Sequence, residues 1–276
     1  MIKAAFAAIL GASRRTPRIG GQGGMDELIA PERRTNGARE KGAPPGRVSL
    51  VLRVVGWALV IAFFGSLAWA GAYRFVSPPS TIVMFERKAD GANVRKDWAP
   101  LEEISPHLVR AVIAAEDTRF CLHKGLDFRA IEKAVHENKR RGRRRGASTI
   151  SQQTAKNLFL WNGGGWARKG AEAWFTLVIE TLWPKRRVME MYLNMAEWGD
   201  GLFGAEAAAK ARFGKSAKDL TKQEAALLAA VLPSPNKWRV NPPGPYVARR
   251  ANMLRGRMEQ VRRDGLDACV LTAKRR

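Results

Sequence analysis

Residues 54–73, VVGWALVIAFFGSLAWAGAY, run for twenty residues without a charge, and this run limits the fold more than any other feature of the chain. A helix of about 20 residues, rising 1.5 Å per residue, crosses the ~30 Å hydrocarbon layer of a bilayer. Trp57, Trp69 and Tyr73 lie near its ends, where aromatic belts meet the membrane interface, which favours a span over a buried core helix. Residues 1–53 hold ten Lys or Arg against four Asp or Glu, so the positive-inside rule keeps the N-terminus cytoplasmic and puts everything after Tyr73 outside.

The chain is organised around that span. Residues 1–47 are rich in Gly, Arg and Pro with no sustained apolar period, and are expected to be a disordered cytoplasmic tail. The opening MIKAAFAAILGAS is a poor signal peptide, and Met25 is an alternative start to Met1. The span occupies 48–74; 75–104 is a linker, with Ser77-Pro-Pro-Ser80 and then an extended or irregular stretch over 81–100; 105–247 forms the main domain; 248–276 is a basic helix and tail. A net charge of +23 predicts an anionic partner, whether nucleic acid, acidic headgroups or a phosphorylated substrate. Cys121 and Cys269 are too few for a disulfide framework and lack metal spacing; whether they form one bridge stays open.

Past the linker the pattern is helical. Ser105-Pro106 reads as an N-cap and first position of a helix carrying Leu108, Ala111, Val112 and Ala115 and ending near Glu116, at the edge of its buried face. Burial and the negative end of the helix dipole both raise the pKa of a carboxylate placed there. Asp127 caps a helix with Phe128, Ile131, Ala134 and Val135, which runs into the cationic stretch 139–145. Ser148 or Thr149 caps a helix to about Phe159, whose N-terminus is a ready anion site, with Gln152, Gln153, Lys156 and Asn157 along its first turns. After a glycine hinge at 163–165, a helix over 166–182 is expected to bury Trp166, Gly170, Ala173, Trp174, Leu177, Val178 and Thr181, with Arg168, Lys169 and Glu172 opposite. Pro184 starts another, in which Val188, Met191, Tyr192 and Met195 read as scaffold. Residues 194–204 look like a glycine-rich turn, and Thr221 to Glu224 is a capping box.

Four segments together resemble glycosyltransferase family 51, the peptidoglycan glycosyltransferases, and its monofunctional biosynthetic transglycosylases in particular. EDxxFxxHxG stands as EDTRFCLHKG (116–125), GxSTxxQQ as GASTISQQ (146–153), RKxxE as RKGAE (168–172) and KxxxxExYLN as KRRVMEMYLN (185–194). The resemblance implies a mainly α, lysozyme-like, two-lobed domain, a head and a jaw, after one N-terminal transmembrane helix. It implies polymerisation of lipid II onto a lipid-linked nascent glycan, with inversion at MurNAc C1 and release of polyprenyl diphosphate. Glu116 is then the general base, and Glu172 assists the leaving diphosphate directly or through a divalent cation, Mg²⁺ or Mn²⁺. Inverting carboxyls stand about 6.5–9.5 Å apart in glycosidases. Ser148, Thr149, Gln152, Gln153, Lys156, Asn157, Arg168 and Lys169 are expected to bind sugar and diphosphate. Asp117, Phe120 and His123 are expected to support the site, Phe120 leading into a mobile flap over 121–146.

The implied setting is the bacterial inner membrane, single-pass, with the catalytic domain periplasmic and cell-wall synthesis proteins as partners. Nucleic acid is not expected, because no aromatic interleaving or DNA-binding motif accompanies the basic residues. A lysozyme-like hydrolase or lytic transglycosylase is the rival, but it needs neither a span nor a cationic cleft wall. Ser234 to Lys237 fits SxxK only by accident and no KTG occurs, so transpeptidase activity is not expected. One departure stands out: the family commonly reads GRSW before its third motif, whereas this chain has Gly164 where the arginine is expected. On the sequence alone, Gly164→Arg is expected to raise activity or leave it unchanged.

Overall fold

Hydroxyl side chains set four of the helix starts. The Ser105, Thr149, Thr221 and Thr81 oxygens accept from the backbone N–H groups of His107, Gln152, Glu224 and Met84 at 3.2–3.4 Å. Each satisfies a donor that the first helical turn leaves unpaired. The computed structural model describes residues 47–141, 146 and 148–272. The tail before Arg47, the choice between Met1 and Met25 and the cationic residues 142–145 lie outside the described residues. The chain falls into two units, 1–49 and 50–276, and the second carries all that follows.

In order, the helices are α1 (Arg47–Tyr73), α2 (Ile82–Ala89), α3 (Pro106–Glu116), α4 (Phe128–Arg141), α5 (Ile150–Phe159), α6 (Trp166–Leu182), α7 (Lys185–Met195), α8 (Ala205–Phe213), α9 (Lys222–Val231), α10 (Pro245–Arg263) and α11 (Ala268–Leu271). Three short strands, β1 (Arg95–Lys96), β2 (Glu197–Gly199) and β3 (Leu202–Phe203), form a sheet in the order β1-β3-β2, parallel between β1 and β3 and antiparallel between β2 and β3. The core joins α3, α9 and α10 to α5, α6 and α7, with Leu108, Ile113, Ile150, Ile179, Met191 and Leu228 fully buried.

Within α1, Leu50–Tyr73 is long and apolar enough to cross a membrane. Its outer end is built into the domain: Trp69 meets Phe159 edge-on at 5.1 Å, and Trp183 donates from Nε1 to the Ala70 carbonyl at 2.9 Å.

Several expectations are corrected. Residues 82–89 are helical, not extended: Thr81 caps them, Val83 and Met84 are buried, and Arg87 pairs with Glu197 and Asp200, so tertiary contacts override the β-branched Ile82-Val83. The stretch 194–204 holds the last turn of α7 and the β2–β3 hairpin, not an open turn. Phe128 faces solvent. The basic C-terminal stretch is packed on the core through Val247, Ala251, Leu254, Met258 and Val261.

The phase of α6 is the largest correction. Trp166 is 93% and Leu177 48% exposed, whereas Glu172, Phe175, Thr176, Val178 and Ile179 are buried. The inward turn of Glu172 is held by Arg168 and Lys169, which pair with both of its oxygens. The middle of the stripe lies on α1: Trp174 is 5.3 Å from Phe63 and donates from Nε1 to Ser66 Oγ at 3.1 Å.

Cys121 and Cys269 are bonded to each other and tie α11 to the 3-10 turn Phe120–Leu122. Closing a loop of 148 residues restricts the unfolded chain. Cys269→Ser, or reduction of the unaltered protein, is expected to lower unfolding stability by about 2–4 kcal/mol. Thermal melts in detergent with and without dithiothreitol check this, and coincident melts would refute it.

Candidate active site

The site is assembled where the end of α3 crosses the start of α5. Asp117, the residue that ends α3, is 7% exposed. Its Oδ2 accepts from the Ile150 N–H at 3.1 Å, and its oxygens meet His123 Nε2 at 3.0 Å. The anion site at the start of α5 is therefore filled by the protein's own carboxylate. Thr149, not Ser148, is the N-cap, and Gln152 closes a capping box with it. Thr149 Oγ1 also donates to the Gly125 carbonyl at 2.5 Å. Thr149 and Gln152 thus act in the frame of the site, while Ser148 is exposed and lines a cavity of about 200 Å³ with Glu116, Asp117, Arg119, Asp127 and Arg257.

Crossing the helices this way brings Gln153 to Glu116: its Nε2 donates to Glu116 Oε2 at 2.9 Å. Burial pushes the Glu116 carboxyl above its ordinary value; the Gln153 hydrogen bond and the Arg250 charge act against this, and the neighbouring Asp117 adds to it. The direction is the one expected of a carboxyl at the edge of a buried helix face, with burial as its largest cause.

Phe120 is fully buried, with Lys185 Nζ 4.4 Å above its ring centre. Lys185 also donates to Glu180 Oε1 at 2.7 Å, and the same oxygen accepts from Ser151 Oγ. One α6 carboxylate thereby joins the first, second and fourth sequence motifs. Glu180 has no local signal in the sequence, because a single acidic residue in an amphipathic helix reads as a solvated one.

On the cationic wall, Glu172 is 3% exposed. Its Oε2 accepts from Arg168 Nη1 at 2.8 Å and its Oε1 from Lys169 Nζ. Lys156 belongs to the same wall: burial lowers its pKa and Glu172 raises it, with Arg168 and Lys169 lowering it further. Asn157 is buried on α5. The metal expected on Glu172 does not fit there, since both oxygens are held by cations. Among the described residues, Asp117, His123 and Asp127 bring possible ligand atoms within 4.8 Å of one another. Those carboxylates are engaged too, Asp127 with Arg119 at 3.1 Å and with the Ala130 N–H at 3.1 Å. Arg250, which sequence reasoning missed, comes to Glu116 from α10.

Gly164 reverses the sequence expectation. It has φ +76°, and a Cβ there would lie 2.9 Å from Arg168 Cβ and 3.1 Å from Trp161 Nε1. A side chain meets both a left-handed backbone and the arginine that holds Glu172. Gly164→Arg is expected to lower activity, with Gly164→Ala lowering it less; initial rates of the two variants check the order.

Comparison with known proteins gives a consistent result. A family model described as Transglycosylase matches residues 83–259. A biosynthetic peptidoglycan transglycosylase of Rhodospirillum centenum is 58% identical over 206 residues, 74% of this chain and 89% of that protein. Proteins of the same description from Caulobacter vibrioides and Pseudomonas aeruginosa are 54% and 52% identical over 199 and 202 residues, covering 72% and 71% of this chain and 86% and 87% of those proteins.

Proposed function

This chain belongs to the transglycosylase family and polymerises peptidoglycan glycan, and we propose that Glu116 is the base of that reaction and the α6 wall its leaving-group site. The fold is the mainly helical, lysozyme-like one, with one apolar helix ahead of it. The observation that carries the assignment is the half-buried Glu116 carboxylate with a hydrogen-bond donor on one oxygen. A donor on the carboxylate favours its charged form. That donor acts against the upward push of burial on the same carboxyl.

In this reading the substrate is lipid II, and the acceptor is its GlcNAc 4-hydroxyl. Glu116 takes the hydroxyl proton as the oxygen attacks MurNAc C1 of the lipid-linked nascent glycan. The bond from C1 to the diphosphate breaks with its electron pair going to the diphosphate, and inversion gives a β-1,4 linkage. Glu172 acts by holding Arg168 and Lys169 against the departing diphosphate. Lys156 adds a third positive charge in a setting where burial makes an anion worth more. Ser148, Gln152, Gln153 and Asn157 shape the cleft around the sugars, and Asp117, Phe120 and His123 support it. A divalent cation, Mg²⁺ or Mn²⁺, would belong to the lipid diphosphate in this reading and not to Glu172. The implied setting is the inner membrane with the N-terminus cytoplasmic, the domain periplasmic and other cell-wall synthesis proteins nearby, and without nucleic acid.

Lipid II polymerisation by purified protein tests the roles. Glu116→Gln is expected to lose activity almost completely and Glu172→Gln severely; polymer at the unaltered rate from the first would remove the base assignment. Because burial raises the Glu116 pKa, any stability this group contributes is present at low pH and is lost as pH rises through its folded value. Glu116→Gln should therefore melt no lower than the unaltered protein at neutral pH.

A further inference from the structure

The sequence places Tyr192 on the apolar stripe of α7 and gives it no chemistry. The structure gives it a specific neighbour. Tyr192 is 1% exposed, and its hydroxyl donates to Gln153 Oε1 at 3.3 Å. The opposite end of the same amide donates to Glu116 Oε2 at 2.9 Å. An amide has an accepting end and a donating end, and its partners decide which way it points.

We propose that Tyr192 is a positioning residue for the reaction: its hydroxyl fixes Gln153 with the NH₂ end on Glu116, and so holds Glu116 in the ionised form that a base requires. The inference rests on the reading of Glu116 as the base. With the amide turned round, the Gln153 carbonyl would face Glu116 and accept from the protonated carboxyl. The phenol O–H would then lose the only acceptor that the described residues give it, and an unpaired buried donor is costly. Burial, with Glu116 and Asp117 nearby, raises the Tyr192 pKa well above its ordinary value, so the phenol keeps its proton and remains a donor throughout the working range. The link is long-range in sequence: α3, α5 and α7 each supply one member.

The charged groups around Glu116 are Asp117 beside it, Arg250 and Arg257 on α10, and Arg119, Asp127 and Glu137 around the cavity. Tyr192→Phe alters none of them, so a change in the titration of Glu116 reports on the amide.

The test is the pH dependence of initial lipid II polymerisation rates for the unaltered protein, Tyr192→Phe, Gln153→Met and the double variant, with melting temperatures alongside. Losing one net hydrogen bond to a charged group is expected to move the acid limb of Tyr192→Phe upward by about one to two pH units. Rates should converge with the unaltered protein at alkaline pH, and KM should be unchanged. Gln153→Met is expected to shift the limb the same way, and Tyr192→Phe to add little in its background. An unmoved limb, whether the rate is normal or uniformly lowered, overturns the proposal, since a purely structural tyrosine would lower rates at every pH. If Tyr192→Phe does not fold, an unmoved limb in Gln153→Met overturns it instead. Retained activity in Glu116→Gln would sink the base reading itself; an inactive Glu116→Gln beside an unmoved limb would sink only the role of Tyr192.

Discussion

The carboxylate of Asp117 at the first turn of α5 is the contact on which the site depends. It ends α3 and accepts from the first N–H of α5, so the end of one helix is fixed to the start of another 33 residues on. A buried carboxylate is tolerated there because the Ile150 N–H and the His123 ring take up its oxygens and the helix dipole favours its sign. Glu116 and Gln153 are each one short step from this junction, and their 2.9 Å hydrogen bond follows from it. Any displacement of Asp117 would separate Glu116 from the Gln153 amide that donates to it.

The inward face of α6 repeats the same physics. Glu172, Thr176 and Glu180 are spaced four apart, so they lie on one face over two turns. Glu172 is saturated by Arg168 and Lys169, and Glu180 by Ser151 and Lys185. Thr176 returns its hydroxyl to the Glu172 carbonyl at 2.6 Å. Buried ion pairs seldom add net stability over apolar packing, but removing one partner from such a pair is costly. Their effect here is one of placement: each carboxylate fixes cations at a set height along the helix, one pair at the cleft wall and one beneath Phe120. Gly125 is drawn into this wall with φ +87°, where a Cβ would lie 2.7 Å from Thr176 Cγ2 and 3.0 Å from Glu180 Cγ. The glycine that closes the first motif is thus required by close packing on α6.

What could be read from the sequence was whatever is coded locally. Ser105-Pro106, Thr149 to Gln152 and Thr221 to Glu224 announce helix starts because a cap and its partner lie within four residues, and the structure keeps all three. The charge-free run at 54–73 was legible for the same reason. The failures are all long-range. Helix α2 is settled by Arg87 reaching Glu197 and Asp200, and β1 by its pairing with β3, more than a hundred residues away. On α6 the expected stripe keeps Val178 inside but leaves Trp166 and Leu177 exposed, because a periodicity gives the direction of an apolar face relative to its helix and not what covers that face. Tyr192 and Glu180 were passed over since one hydroxyl or carboxylate in an apolar period has no local signal that it meets a partner from another helix.

The end of α1 is built into the domain through its carbonyls. The last carbonyls of any helix lack intrahelical donors. Here the domain supplies them: Trp183 Nε1 bonds the Ala70 carbonyl at 2.9 Å, and Arg187 bonds Tyr73 at 3.0 Å and Val76 at 2.9 Å. Arg187 also places positive charge at the negative end of the helix, where it is favoured. Arg74 returns a bond to the Leu182 carbonyl at 2.5 Å, closing the end of α6 on the end of α1. The Ser77-Pro-Pro-Ser80 stretch therefore does not act as a free hinge between span and domain, because the docking is complete before the chain reaches it. Arg187 lies on α7 with Lys185 and Tyr192, so the helix that holds the end of α1 also reaches Glu116 through Gln153.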